Sequence, residues 1–251
     1  MADAASRSLA KMPGGDRCEH RQYGYVPADR HLATRRRAMG VPGSPGEHAL
    51  QERFGTQARA AAFYQNQMLD HLNAEMCAFI ARQEMVFIAT ADGHGACDCS
   101  FRAGLPGFVR VLDAKTVIYP EYRGNGVLAS LGNIAENPHI GMFFADFFQS
   151  TVGLHINGTA QALENDALRR RPDLPEEVHQ ELGVLGGRQP ERWVMVQVEE
   201  AYIHCSKHIP LLQKVEKTIH WGTDNPTYKG GDYFQAKKSP RPRHASTKPA
   251  R

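Results

Sequence analysis

Arg123, Asn125 and Ser130 belong to the stretch of this chain whose residue types and spacing could best hold a phosphate, Tyr119-Pro-Glu-Tyr-Arg-Gly-Asn-Gly-Val-Leu-Ala-Ser-Leu-Gly-Asn-Ile-Ala-Glu-Asn-Pro138. The pattern predicts a strand that ends in a tight, basic, glycine-broken turn and then opens a short helix. Free backbone N–H groups and the positive end of a helix dipole attract an anion. Arg123 adds a planar fork matched to phosphate oxygens, and Asn125 and Ser130 add neutral donors. A phosphorylated cofactor is the expected ligand. The plainer readings are a solvated turn arginine at Arg123 and a helix N-cap at Asn125.

Other reactive side chains carry less. Cys97-Asp-Cys99 lies close to His94, but on an alternating strand the two thiols share one face without a second ligand pair, so no metal is expected. His204-Cys205 reads as packing or cleft lining rather than as a base and nucleophile. Phe143-Phe144 and Phe147-Phe148 read as core and dimer interface.

The elements that must position these residues follow from periodicity. Glu47 to about Gln83 is helical in pattern, with Leu50, Phe54, Ala58, Met68, Leu69, Leu72, Met76 and Phe79 at three- and four-residue steps and Gly55 as a break. Met85–Ala91 and Ala96–Phe101 form a hairpin around Asp92-Gly-His-Gly95. Gly107–Leu112 and Thr116–Tyr119 form a second around Asp113-Ala-Lys115. Val127, Leu128, Leu131 and Ile134 make the apolar face of the helix after the turn, stopped by Asn137-Pro138. Long strands are expected at His139–Asp146, at Val152–Leu163 with a bulge at Asn157-Gly158, and at Trp193–Cys205. Some six strands with few intervening helices predict an antiparallel barrel rather than a doubly wound sheet.

Composition bounds the possibilities. The 251 residues can bury a sizeable core, and 41% of them are hydrophobic. The net charge of +3 is unevenly spread. Residues 237–251 hold six Lys or Arg and no acid, while residues 49–236 sum to about −6. A mildly acidic body does not suggest a nucleic-acid-binding surface. No run reaches the roughly 18 apolar residues of a membrane span, the N-terminus lacks the apolar core of a secretory signal, and five cysteines in no framework spacing fit a reducing cytoplasm. The expected division is an N-terminal extension at 1–48, a folded domain at 49–219 and a basic, largely disordered tail at 220–251.

Several motifs together carry a resemblance: Ser100-Phe-Arg-Ala-Gly-Leu-Pro-Gly-Phe-Val-Arg-Val-Leu-Asp113, Ile118-Tyr-Pro, Arg123-Gly-Asn, Ser130-Leu-Gly-Asn-Ile, Glu136-Asn-Pro, Asn157-Gly and Tyr202-Ile-His-Cys-Ser-Lys207. Over about residues 65–212 the chain resembles the pyridoxamine 5′-phosphate oxidase-like superfamily, and within it a branch of FMN-dependent enzymes of unassigned substrate. The resemblance implies a mainly β fold with flanking helices, an antiparallel split β-barrel that forms a homodimer with FMN in two clefts between subunits. It implies that Phe108, Val109, Arg110 and Val111 form a strand meeting the isoalloxazine edge. Tyr119 and Pro120 would line the cleft, and Arg123, Asn125 and Ser130 would surround the phosphate. Asn133 would face the cofactor, and His204 and Lys207 would reach the cleft from the partner subunit. Arg102 and Arg110 divide between cofactor contact and pairing with surface acids, and both belong to the candidate set.

The chain departs from the wider family in three places. Ala129-Ser130 stands where related oxidases present two adjacent basic residues, so phosphate binding would lean on Arg123 and backbone N–H groups, with deazaflavin F420 as the alternative cofactor. The C-terminal arginine-rich signature of pyridoxamine phosphate oxidases is absent, so that reaction is not implied. His208-Ile-Pro-Leu-Leu replaces the usual continuation, which leaves the small-molecule substrate unassigned. The expectation is an FMN-dependent oxidoreductase with no side chain assigned as catalyst. The competing readings are an F420-dependent reductase, a haem-binding split barrel using His155, His204 or His208, and a non-enzymatic flavin module. Neither nucleic acid nor membrane is expected as a partner.

Overall fold

The computed structural model describes residues 41–239; residues 1–40 of the extension expected at 1–48 and residues 240–251 of the tail expected at 220–251 lie outside the described residues. Eight antiparallel strands form one sheet that curls into a barrel left open along one seam, with helices on its flanks, as expected of a split barrel. In chain order the elements are α1 (Pro45–Phe54), α2 (Gln57–Gln67), β1 (Met68–Leu69), α3 (Ala74–Ile80), β2 (Met85–Ala91), β3 (Cys97–Ala103), β4 (Arg110–Asp113), β5 (Thr116–Tyr122), α4 (Ala129–Glu136), β6 (His139–Ala145), β7 (Gly153–Glu164), α5 (Asn165–Arg169), α6 (Glu176–Leu182) and β8 (Pro190–His204).

Local chemistry sets the helix boundaries. Ser44 caps α1 by accepting from the Glu47 amide, Pro45 occupies the first turn, and Gly55 closes the helix in the left-handed region, so the break read at Gly55 holds. Asn73 caps α3 in the same way through Met76 N–H. The continuous helical pattern conceals one strand: Met68 and Leu69 are β1, paired with Tyr202 and Ala201 of β8. Leu50 and Phe54 keep the predicted spacing but are exposed.

The strand order is β3-β2-β6-β7-β8-β5-β4, with β1 added on β8. Thus β8 is the spine of the sheet, bonded to β7 along most of its length and to β5 over its first half. The bulge expected at Asn157-Gly158 is present, since Asn157 faces Glu200 while Gly158 faces Val198. A Cβ on Gly158 would collide with the Gln197 carbonyl oxygen. Gly158→Ala is therefore expected to cost about 2–3 kcal/mol in urea unfolding, and an unchanged midpoint would mean that β7 can shift its register freely.

Two expectations are corrected. β4 begins at Arg110 rather than Gly107: Gly107 takes a positive φ and its amide bonds Gln83 O, holding Phe108 and Val109 in a turn outside the ladder. Val127 and Leu128 do not share the buried face of α4. Leu128 precedes the helix in the left-handed region, and both side chains are exposed, leaving Ser130 and Ile134 as the buried positions.

Two apolar cores result. One fills the barrel, built on Val86, Ile88, Val117, Tyr119, Met142, Phe144, Ile156 and Val196. The other lies between the outer side of β5 and β8 and the helices α5 and α6, centred on Trp193. Among the described residues no helix is long and apolar enough to cross a membrane.

Candidate functional site

The edge strands of the sheet are β3 and β4. Past Ile118, where the pairing with β4 ends, β5 has no ladder on its side away from β8, so the seam there lies between β3 and the second half of β5. Strand alternation turns Asp98, Ser100 and Arg102 inward and leaves Cys97, Cys99 and Phe101 exposed. On β5 the same alternation puts Tyr119 and Glu121 on one face. Arg102 Nε donates to Glu121 Oε1 at 2.8 Å, and this ion pair bridges the gap. Burial raises the Glu121 carboxyl above its ordinary value, and the Arg102 guanidinium works against that rise. Tyr119 is fully buried, its hydroxyl has no partner, and burial with the Glu121 charge pushes its ionisation far upward.

Helix α4 packs beside the β3 side of this seam, against β2, β3 and β7. Ser130 Oγ lies 3.3 Å from Asp98 Oδ2 and 3.3 Å from Ser100 Oγ, and Ser100 itself donates to Asp98 at 2.9 Å. One turn later, Asn133 Nδ2 donates to Thr90 Oγ1 at 3.0 Å. These bonds tie α4 to β3 and β2 and fix the direction in which its N-terminus points.

The basic turn leads into that N-terminus. Asn125 Oδ1 accepts from Val127 N–H at 2.9 Å, folding the turn on itself. Around Gly124 and Gly126 the space where a Cβ would stand is open. Arg123 is exposed, and its Nη2 lies 2.5 Å from Asp224 Oδ2 of the C-terminal segment. Beside it opens a polar cleft of about 650 Å³ flanked by Asn165, Gly187, Arg192 and Gly222.

The remaining candidates lie elsewhere. Arg110 turns to the outer side of the sheet, where its Nη2 sits 3.3 Å from Glu181 Oε2 of α6 and where Tyr122 donates to Glu181 Oε1 at 2.7 Å. Phe108 and Val109 are buried in the barrel core and Val111 packs against it. Pro120 is buried opposite Trp193. His204 Nδ1 is 3.0 Å from His155 Nε2, so the two imidazoles partner each other. Burial and His204 lower the His155 pKa. Lys207 and His208 are exposed in a short 3-10 turn after β8.

The His pair belongs to an outward-facing row of rings that crosses the sheet. Phe101 meets Phe87, Phe87 meets Phe143, Phe143 stacks on His155, His155 stacks on Tyr202, and Phe63 of α2 closes the row. Among the described residues no group of three or more His, Cys, Asp or Glu side chains is placed to hold a metal ion.

The structure thus places Arg102 near Tyr119 at the seam, ties Ser130 to β3 and Asn133 to β2, puts Arg123 and Asn125 in the turn before α4, and separates Arg110, His204 and Lys207 from them. Sequence reasoning missed Glu121, Asp98, Thr90 and Asp224. Parity held a signal for two of them: Asp98 shares its face with Ser100 and Arg102, and Glu121 shares its face with Tyr119.

Comparison with known proteins gives one family. The model of the pyridoxamine 5′-phosphate oxidase family matches residues 72–205. No curated protein matches. Among solved structures, HupZ of Group A Streptococcus is 21% identical with a TM-score of 0.38, the match covering 51% of this chain and 90% of that one. An FAD-binding protein of Mesorhizobium loti is 11% identical with a TM-score of 0.37, over 54% of this chain and 96% of its own. An F420 reductase is 13% identical with a TM-score of 0.33, over 51% and 94% respectively.

Proposed function

We propose that this chain, which belongs to the pyridoxamine 5′-phosphate oxidase family, is an FMN-dependent oxidoreductase acting on a small molecule. The observation that carries the reading is the seam itself, where the Arg102–Glu121 pair links β3 to β5 beside a fully buried Tyr119 hydroxyl that has no partner. A buried hydroxyl without a partner costs about 1–3 kcal/mol, so a ligand acceptor that satisfied it would recover free energy. The donor set fits a flavin phosphate and ring, with Arg123 and the Gly124–Gly126 turn at one end and Tyr119 and Arg102 further along.

When bound, FMN supplies hydride acceptance and donation through its isoalloxazine ring. The chain's own residues bind and orient. Arg102 donates from Nε to Glu121 and from Nη1 to the Phe101 carbonyl, so the guanidinium is held in one direction and a ligand there would meet it at little entropic cost. Ser130 and Asn133 anchor α4, and with it the N-terminal amides that would face the phosphate. Tyr119 keeps its proton at any physiological pH, because burial disfavours the phenolate, and can serve only as a neutral donor. The barrel core behind Tyr119 excludes water from that wall. The aromatic row on the outer face supports pairing with a second copy, since a stripe of half-exposed rings is costly to leave in water.

The test is a flavin titration of the purified protein. FMN should bind and shift its absorbance, and Arg123→Ala should weaken that binding by about 1.5–3 kcal/mol, the range for a hydrogen bond to a charged group. An unchanged affinity would remove the phosphate from this turn. A colourless protein that takes F420 and not FMN would replace the cofactor.

A further inference from the structure

The chain beyond β8 is laid down by specific contacts although it carries almost no regular secondary structure. Leu212 N–H bonds Phe147 O, and Lys214 Nζ reaches both Glu84 carboxylate oxygens, at 2.8 and 2.6 Å. Further on, the Trp221 ring meets Tyr122 edge to face at 5.5 Å. At Trp221-Gly222 the strap crosses the Gly186-Gly187 loop backbone to backbone. A Cβ on Gly187 would collide with Trp221 O, and a Cβ on Gly222 with Gly187 O. Only glycine at both positions permits a crossing that close.

That crossing delivers Asp224 to the basic turn. Its Oδ2 lies 2.5 Å from Arg123 Nη2, and its Oδ1 lies 3.4 Å from Lys229 Nζ. An oxyanion held between a guanidinium and an ammonium is what a phosphate monoester would find in the same place. Arg123 and Asp224 are both more than half exposed, at 57% and 58%. An ion pair in that setting is worth only about 0.2–1 kcal/mol, little enough for a better anion to displace it.

We propose that Asp224 is a built-in competitor for the phosphate seat at Arg123, and that a phosphorylated flavin binds by displacing it and lifting the strap around residues 221–229. The inference rests on the reading of Arg123 as the phosphate ligand given above. A phosphate carries more charge than a carboxylate and three oxygens to its two, so the exchange favours the ligand. The flavin nucleoside without its phosphate would gain nothing from it.

The experiment compares FMN with riboflavin on the full chain. Asp224→Ala is expected to tighten FMN binding about two- to five-fold, the span of an exposed ion pair, and to leave riboflavin affinity unchanged. In the native protein, FMN is expected to speed tryptic cleavage after Lys217 and Lys229, both exposed on the strap. Protection of those sites by FMN, weaker FMN binding by Asp224→Ala, or equal tightening of riboflavin would each overturn the proposal. If Arg123→Ala weakens FMN while Asp224→Ala changes nothing, the phosphate seat stands and the competition falls. If neither substitution changes FMN affinity, the seat itself is wrong and the competition falls with it.

Discussion

Arg102→Ala is expected to lower the stability of the folded chain by about 3–4 kcal/mol near pH 8 and to recover much of that loss by about pH 5. Removing one member of a buried pair strands the other charge, which typically costs about 3–5 kcal/mol. The lower part of that range applies because the Arg102 and Glu121 side chains retain 21% and 12% exposure. The direction with pH follows from Glu121, whose carboxyl is already held above its ordinary value of 4.5 by burial. Without Arg102 nothing opposes the rise. A carboxyl raised in the folded state binds its proton more tightly there than in the unfolded chain. Stability is then fully present below the ordinary value and falls as pH climbs through the raised one. Urea unfolding of the variant at several pH values reads this directly, and a loss independent of pH would mean that the stranded carboxylate is not its cause. Glu121→Gln, which keeps the shape and removes the charge, should flatten the dependence.

Trp193→Ala is expected to cost about 3–5 kcal/mol, the usual range for emptying a site of that size. Trp193 is wholly buried among Leu112, Ile118, Leu168, Leu174, Val178, Leu182 and Met195, and it holds α5 and α6 against the sheet. Its indole N–H has no hydrogen-bond partner, so its value lies in packing alone. Trp193→Phe deletes no bond and leaves a smaller void, for an expected loss of about 1–2 kcal/mol. Denaturant midpoints at constant slope separate the two variants. Equal losses would show that the ring's bulk does not stabilise this layer.

The sheet was legible where alternation and turn residues coincide. Met85–Ala91 lies between Gln83-Glu84 and an Asp-Gly turn, and its bounds match β2. Asn157-Gly158 announced its bulge because glycine in a long strand marks a close backbone approach. Met68-Leu69 was hidden, because a two-residue strand leaves no period to read and its apolar side chains continued the helical spacing. The face assigned to Val127 and Leu128 failed for a local reason: one residue in the left-handed region rotates everything before it off the helix. Arg110 could not be separated from Arg102 by residue type, and only the observed parity sends one to α6 and the other to the seam. Asp224 was beyond reach because its partner lies 101 positions away, and no pattern in a glycine-rich segment specifies such a meeting.

The position of β8 at the centre of the sheet dictates the order in which the molecule can be finished. Among the described residues, 190–204 form the last strand made, yet β1, β5 and β7 all pair with it. Until that stretch has left the ribosome, the nascent chain can pair β3-β2-β6-β7 into a four-stranded sheet and β4-β5 into a hairpin, but no ladder joins the two. Closure then joins segments more than a hundred positions apart, a high contact order that slows folding and prolongs the exposure of those edges. A chain whose synthesis stops short of residue 190 leaves the β7 and β5 edges that face β8 unpaired, and bare edges of that kind invite pairing with other copies.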